Sequence, residues 1–232
     1  MTVLLLRLAA PLQSWGTGSR FSRRNTDRVP SKSGIIGLLA AAEGRRRTES
    51  IADLRQLRLG VRIEQAGQIE RDFQTAQSVD RSESMPLSYR FYLADAVFLV
   101  AIEGEPELLD GLNESLRRPA FPLFLGRRSC PPTGPLVLAI REGTIAEVFR
   151  NEPWQATSRV RKARRDSLVT LETVIDCEAG TDGSILVRDD PASFDPRHRK
   201  HDWRSVLPDS VAGVTNPDYA HEPMDLLPED VT

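Results

Sequence analysis

Phe91-Tyr92-Leu93-Ala94-Asp95-Ala96-Val97-Phe98-Leu99-Val100-Ala101-Ile102 is the stretch on which the fold depends. Its aliphatic and aromatic run predicts a strong core strand. Downstream, Pro106 to Arg117 carries Leu108, Leu109, Leu112 and Leu116 at helical spacing behind a starting proline, which predicts a helix. Leu136–Ile140 predicts a short strand. Upstream, Leu57–Glu64 alternates apolar and polar residues, Ala66-Gly67-Gln68 reads as a turn, and Ile69–Thr75 alternates again, so these two segments predict a hairpin. Thr2–Leu8 predicts a buried first strand. Pro30 and Ser31 or Ser33 open an apolar run, Ile35–Ala42, that Gly44 closes, which predicts a helix. Ile51–Leu57 predicts a second short helical piece. The order is β, α, β-hairpin, β, α, β, the split β-α-β (ferredoxin-like) arrangement with a polar insertion over residues 76–90. From residue 144 onward a smaller β-rich region is expected, with strands at Thr170–Cys177 and Ser184–Arg188 and an irregular end.

The chain has 232 residues, 40% of them hydrophobic and 28% charged, which suits one large globular domain or two small ones. No apolar stretch approaches membrane-spanning length. The N-terminus lacks the basic segment of a signal peptide. Its two cysteines, Cys130 and Cys177, argue against a disulfide framework and fit a reducing cytoplasm. The three histidines, His198, His201 and His221, all lie late in the chain, and zinc spacing is absent. No metal or cofactor is expected.

The formal net charge is only −2, yet the charge is unevenly distributed. Residues 1–60 hold 11 basic and 4 acidic residues, a net of +7. Residues 154–171 hold Arg159, Arg161, Lys162, Arg164 and Arg165 against Asp166, a net of +4. The end from Ser205 carries six acids and no Lys or Arg. Bulk neutrality therefore does not exclude a nucleic-acid partner. The basic residues are 28 Arg and 3 Lys, and guanidinium groups bind phosphate bidentately and stack on bases, although codon bias accounts for the same excess.

Three motifs fit such a partner. Gln13, Ser14, Trp15 and Gly16, followed by Arg20, Arg23, Arg24 and Arg28, place an aromatic among guanidinium groups, a composition suited to single-stranded RNA. The competing role for Trp15 is to anchor a loop on the core. Ser31, Lys32, Ser33 and Gly34 at a helix N-terminus suit an anion, or simply cap the helix. Gly126, Arg127, Arg128 and Ser129 combine close backbone approach with paired arginines, or form a surface loop with an ion pair. The Arg159–Arg165 run reads as a solvated charged face, and Arg197–His201 as a basic loop touching RNA or protein. Cys130 has no histidine near it in sequence, so a nucleophilic role is disfavoured.

Taken in order, Leu6–Gly16 (LRLAAPLQSWG), Pro30–Arg45 (PSKSGIIGLLAAAEGR), Arg71–Ala76 (RDFQTA), Tyr92–Ile102, Leu125–Leu136 (LGRRSCPPTGPL) and Arg197–Val206 (RHRKHDWRSV) resemble the fifth Cas protein family, in its type I-E branch, within the RAMP group of CRISPR RNA-binding proteins. The resemblance implies an α+β fold: a ferredoxin-like (RRM-like, RAMP) domain over residues 1–143, a β-hairpin thumb near residues 77–90, and a small β-rich C-terminal region over residues 144–232. It implies a non-catalytic subunit of the Cascade surveillance complex that caps the 5′ handle of the CRISPR RNA. Its partners would be the backbone subunit CasC and the large subunit CasA, and it would meet target DNA only through the assembled complex. The handle contacts would come from Gln13, Ser14, Trp15, Arg20, Arg23, Arg24, Lys32, Ser33, Arg127 and Arg128. Type I-C members cleave precursor RNA with a tyrosine, lysine and histidine group. A metal-independent endoribonuclease is therefore the alternative, and a general single-stranded RNA-binding module is a third.

Overall fold

The computed structural model describes residues 1–17 and 23–219. Along the chain run β1 (Thr2–Ala9), β2 (Leu12–Gln13), β3 (Arg23–Arg24), α1 (Lys32–Ala42), α2 (Ala52–Arg55), β4 (Arg58–Gln65), β5 (Gln68–Gln74), β6 (Ser88–Ala94), β7 (Val97–Gly104), α3 (Pro106–Arg117), β8 (Val137–Glu142), α4 (Ile145–Asn151), α5 (Ser158–Ala163), β9 (Leu168–Cys177), β10 (Ile185–Ser193) and β11 (Lys200–Thr215). Seven strands make one large sheet in the order β10-β11-β9-β4-β7-β1-β8, and β2, β3, β5 and β6 make a small second one. Among the described residues no helix is long and apolar enough to cross a membrane.

The apolar character of β1 follows from covering on both faces. Leu4, Leu6 and Leu8 join Ile36 and Leu39 of α1 and Leu109 and Leu112 of α3 in the main core. Val3 and Leu5 point the other way, with Leu99 and Ala101, toward Ile145, Val148 and Phe149 of α4. β1 pairs antiparallel with β7 on one side and β8 on the other. The strands that follow residue 144 join the same sheet, because β9 pairs with β4 at Gly60↔Ile175 through Arg62↔Thr173.

Three expectations are corrected. β4 and β5 do not form a hairpin with each other. Both edges of β4 are taken, by β7 and β9, so the chain leaves the large sheet after Gln65 and β5 pairs with β6 instead. The single strand expected over Phe91–Ile102 is likewise two strands in two sheets. Asp95 sits between them with φ +54°, a left-handed conformation that breaks the pleat, and its amide is held by the Pro11 carbonyl at 3.1 Å. Up to residue 219, where the described residues stop, the part after Arg188 is also more regular than its sequence suggested. β11 runs for 16 residues despite Pro208 and Gly213. Its pairing with β10 stops at Val206, so Pro208 faces an open edge where no amide is needed.

A candidate nucleic-acid interface

The small sheet begins with the loop after β1. Gln13 is fully buried, and its amide donates to the Ala96 carbonyl at 2.8 Å and the Leu8 carbonyl at 3.3 Å, while its Oε1 accepts from Trp15 Nε1 at 3.0 Å. Trp15 is 1% exposed and lies across Gly34 of α1. Its backbone amide donates to Thr26 Oγ1 at 2.9 Å, and Asp27 bridges back to it. These contacts fold the loop so that β3 runs parallel to β6, with Arg23 opposite Tyr89 and Arg24 opposite Arg90.

The loop at Leu125–Cys130 closes against the same strand. The Ser14 amide donates to the Leu125 carbonyl at 3.1 Å. Gly126 has φ +86°, and a Cβ there would fall 1.6 Å from the Ser14 carbonyl oxygen, so only glycine fits. Beyond it, Arg127 stacks over Tyr92 at 4.7 Å and donates to the carbonyls of Phe91 at 3.0 Å and Arg24 at 2.9 Å. Arg128 is exposed beside it. Cys130 packs in the main core, and its burial pushes the thiol up.

Around this point the small sheet alternates cations with rings. Arg23 lies 5.2 Å over Phe91 and Arg71 lies 5.6 Å over Tyr89. Phe73, paired with Tyr89 across the β5–β6 ladder, is 65% exposed and Tyr89 is 39% exposed. Arg71, Phe73 and Arg90 were not among the sequence candidates. The signal was in the alternation of RDFQTA, which places Arg71 and Phe73 on one face once β5 is known to pair with β6.

The helix N-terminus behaves differently from the motifs just described. Ser31 caps α1, its Oγ accepting from the Gly34 amide at 3.2 Å. The anion seated there is the protein's own: the Lys32 amide donates to Asp189 Oδ2 at 2.7 Å. Lys32 Nζ is buried 3.3 Å from Asp176 and 3.7 Å from Asp190. Arg204 pairs with Asp176 and Asp189, and Arg55 with Asp190 and Asp202, closing a network that ties α1 to β9, β10 and β11. Ser33 is buried beside the cap. The structure thus brings Arg23, Arg24, Arg127 and Arg128 together at the surface. It places Gln13, Ser14 and Trp15 beneath them as supports, sets Lys32 in a separate internal network and leaves Ser33 buried against Ser31 at the α1 cap. Arg20 and His221 lie outside the described residues.

A family model described as "CRISPR-associated protein (Cas_Cas5)" matches residues 3–207. The CRISPR system Cascade subunit CasD of Escherichia coli (strain K12) is 34% identical over 155 residues, covering 58% of this chain and 69% of that protein. Two solved structures are similar over nearly the whole chain. One, titled "CRISPR RNA-guided surveillance complex", has a TM-score of 0.76 at 30% identity, covering 96% of this chain and 95% of its own. The other, titled "Crystal structure of Cas protein", has a TM-score of 0.68 at 34% identity, covering 95% and 99%.

Proposed function

The chain belongs to the Cas5 family of CRISPR-associated proteins, and from that premise we propose that it is a non-catalytic, RNA-binding subunit of a Cascade surveillance complex that holds the 5′ handle of the CRISPR RNA. The observation that carries this reading is exposed Arg23 over Phe91 beside Tyr89, with exposed Arg24 and Arg128 next to half-buried Arg127, which stacks on core Tyr92 on the other face of β6. Guanidinium groups neutralise phosphates, and the exposed rings of Phe73 and Tyr89 offer stacking surfaces to unpaired bases. Gln13, Ser14, Trp15 and Gly126 act by holding that surface in shape. Arg20 belongs to the same proposed set.

The strand order β8-β1-β7-β4, with α1 and α3 as the crossovers, supports reading residues 1–143 as a ferredoxin-like RAMP domain. In this reading the thumb expected near residues 77–90 is the loop of the β5–β6 hairpin with the first residues of β6, and residues 144–232 form the smaller C-terminal region. The partners are the backbone subunit CasC and the large subunit CasA, in the cytoplasm, and target DNA is met only through the assembled complex.

An affinity titration against salt tests the assignment. Replacing Arg23 and Arg24 together by alanine should weaken handle binding and lower the slope of log affinity against log salt by about 1.4, at about 0.7 for each phosphate no longer neutralised. An unchanged slope would remove these arginines from the site. The endoribonuclease reading has less support, since Lys32 is engaged by Asp176 and Asp190, and His198 and His201 belong to the β10–β11 hairpin of the other sheet. Specific cleavage of repeat RNA at the handle boundary, with and without EDTA, would overturn the non-catalytic role.

A further inference from the structure

The protein has three tryptophans, and two of them are core residues: Trp15 is 1% exposed and Trp154 is 5% exposed. Trp203, on β11, is 61% exposed. It stands where β10 carries two residues, Arg188 and Asp189, between the pairs Val187↔Arg204 and Asp190↔Asp202. Such a bulge re-aims side chains. Here Asp189 turns inward, 1% exposed, to Arg204 and the α1 amide, while Arg188 stays exposed and donates from Nε to the His201 carbonyl at 3.3 Å. Leu186, paired with Ser205 two residues along β11 from Trp203, is 66% exposed.

The turn of the same hairpin reads Arg197-His198-Arg199-Lys200, all four exposed, with no acid among them. The nearby carboxylates are already engaged. Asp195 accepts from the Arg197 amide at 2.8 Å, Asp202 pairs with Arg55 and Lys200, and Asp190 pairs with Arg55 and Lys32. The exposed indole stands with exposed Ile185 and Leu186 on a hairpin whose Arg188, Arg197 and Arg199 form no ion pair among the described residues, and an indole beside such cations is the chemistry of a base stacked between phosphates.

We propose that the β10–β11 hairpin is a second contact for single-stranded nucleic acid, separate from the handle surface on the small sheet. Trp203 stacks on a base, and Arg188, Arg197 and Arg199 take the flanking phosphates.

The full chain would be titrated with a single-stranded RNA of sequence unrelated to the repeat, and with DNA of the same sequence, while tryptophan emission is followed. Binding should quench the exposed Trp203. Trp203→Leu should bind about tenfold more weakly and lose the quench, as expected for one stacked base. Trp203→Phe should keep most of the affinity, and Arg197→Ala with Arg199→Ala should lower the salt slope by about 1.4. A preference for RNA or for DNA identifies the source of the strand, and either result supports the site.

Wild-type affinity in Trp203→Leu for both oligonucleotides would overturn the proposal. So would a defect confined to assembly with partner subunits, which would make the hairpin a protein-docking surface. The Arg23→Ala, Arg24→Ala variant separates this proposal from the handle reading. Loss of handle affinity there with Trp203 quenching intact leaves the hairpin standing on its own. Loss in Trp203→Leu alone counts against the handle surface only if the arginine variant binds handle RNA normally.

Discussion

Trp15 lies directly over Gly34: a Cβ on that glycine would come within 2.8 Å of the indole atoms Cε3 and Cζ3. The helix that caps itself with Ser31 therefore leaves a notch one turn in, and the indole fills it. The indole donates from Nε1 to Gln13 and the backbone amide of the same residue donates to Thr26, so Trp15 sets where β3 runs. A missing side chain on α1 is thus connected to the position of Arg23 and Arg24.

Gly34→Ala should destabilise the protein by about 1–3 kcal/mol, because the added methyl must push the indole out of a filled site. Gly37→Ala is the control. Its Cβ would meet Phe194 Cζ at an ordinary 3.7 Å, so the usual gain of about 0.5–1 kcal/mol for alanine over glycine in a helix should appear. Urea midpoints for the two variants, moving in opposite directions, check both expectations.

The local elements were legible in the sequence where one signal decided them. Ser31 and Gly44 bracket α1, and Pro106 with the leucine spacing gives α3 at the bounds observed. Partner choice was not legible. Nothing in Ile69–Thr75 says that β4 already has both neighbours, and nothing in Phe91–Ile102 marks Asp95 as the point where the strand changes sheets. At the candidate site the arginines could be read from composition, but the burial of Gln13 and Trp15 depends on the distant carbonyl of Ala96 and on Gly34. The anion expected at α1 came from Asp189, 157 residues away, which no local pattern contains.

Asp189→Asn should therefore cost about 1.5–3 kcal/mol, the usual value of hydrogen bonds to a charged group. The carboxylate is 1% exposed, accepts from the Lys32 amide at 2.7 Å and receives both Arg204 Nε at 2.6 Å and Nη2 at 2.9 Å. Hydrogen exchange should show the first turn of α1 opening sooner in the variant, with β1 and β7 protected as before.

A second buried pair is more exacting. Arg62 and Glu64 are both 0% exposed at their side chains and meet at 2.5 Å. Arg62 also donates to the carbonyls of Phe149, Glu152 and Pro153, fixing the chain between α4 and α5. Arg62→Met should cost about 3–5 kcal/mol, because Glu64 is left buried without its cation. The pH dependence follows from the sign of the shift. Burial pushes the Glu64 carboxyl above its ordinary 4.5, and Arg62 pulls it back. With the folded value raised, the unfolded chain releases this proton first. The associated stability is present below 4.5 and is lost as pH rises through the raised value. Removing Arg62 enlarges that window, so the variant should recover part of its deficit on acidification. Thermal melts across the window, compared with Arg62→Met combined with Glu64→Leu, should show the recovery only where Glu64 remains.

Arg127 is where shape and chemistry at the candidate interface meet, and Arg127→Lys separates them. The guanidinium stacks on Tyr92 while its two terminal nitrogens hold the carbonyls of Phe91 and Arg24. Lysine keeps the charge but lacks the planar fork, so it cannot make both bonds and lie flat on the ring at once. If Arg127 served only as a positive charge for phosphate, the lysine variant would bind handle RNA like the wild type. Its donors are instead spent on backbone that sets β3 beside β6, so Arg127→Lys should loosen Arg23 and Arg24 and weaken RNA binding by about 1 kcal/mol or more, close to the usual net value of one hydrogen bond. Because one unit of charge is retained at Arg127, the salt slope should fall less than in Arg23→Ala with Arg24→Ala. Wild-type affinity and an unchanged slope in Arg127→Lys would mean that Arg127 acts as a positive charge on phosphate rather than as a support for β3.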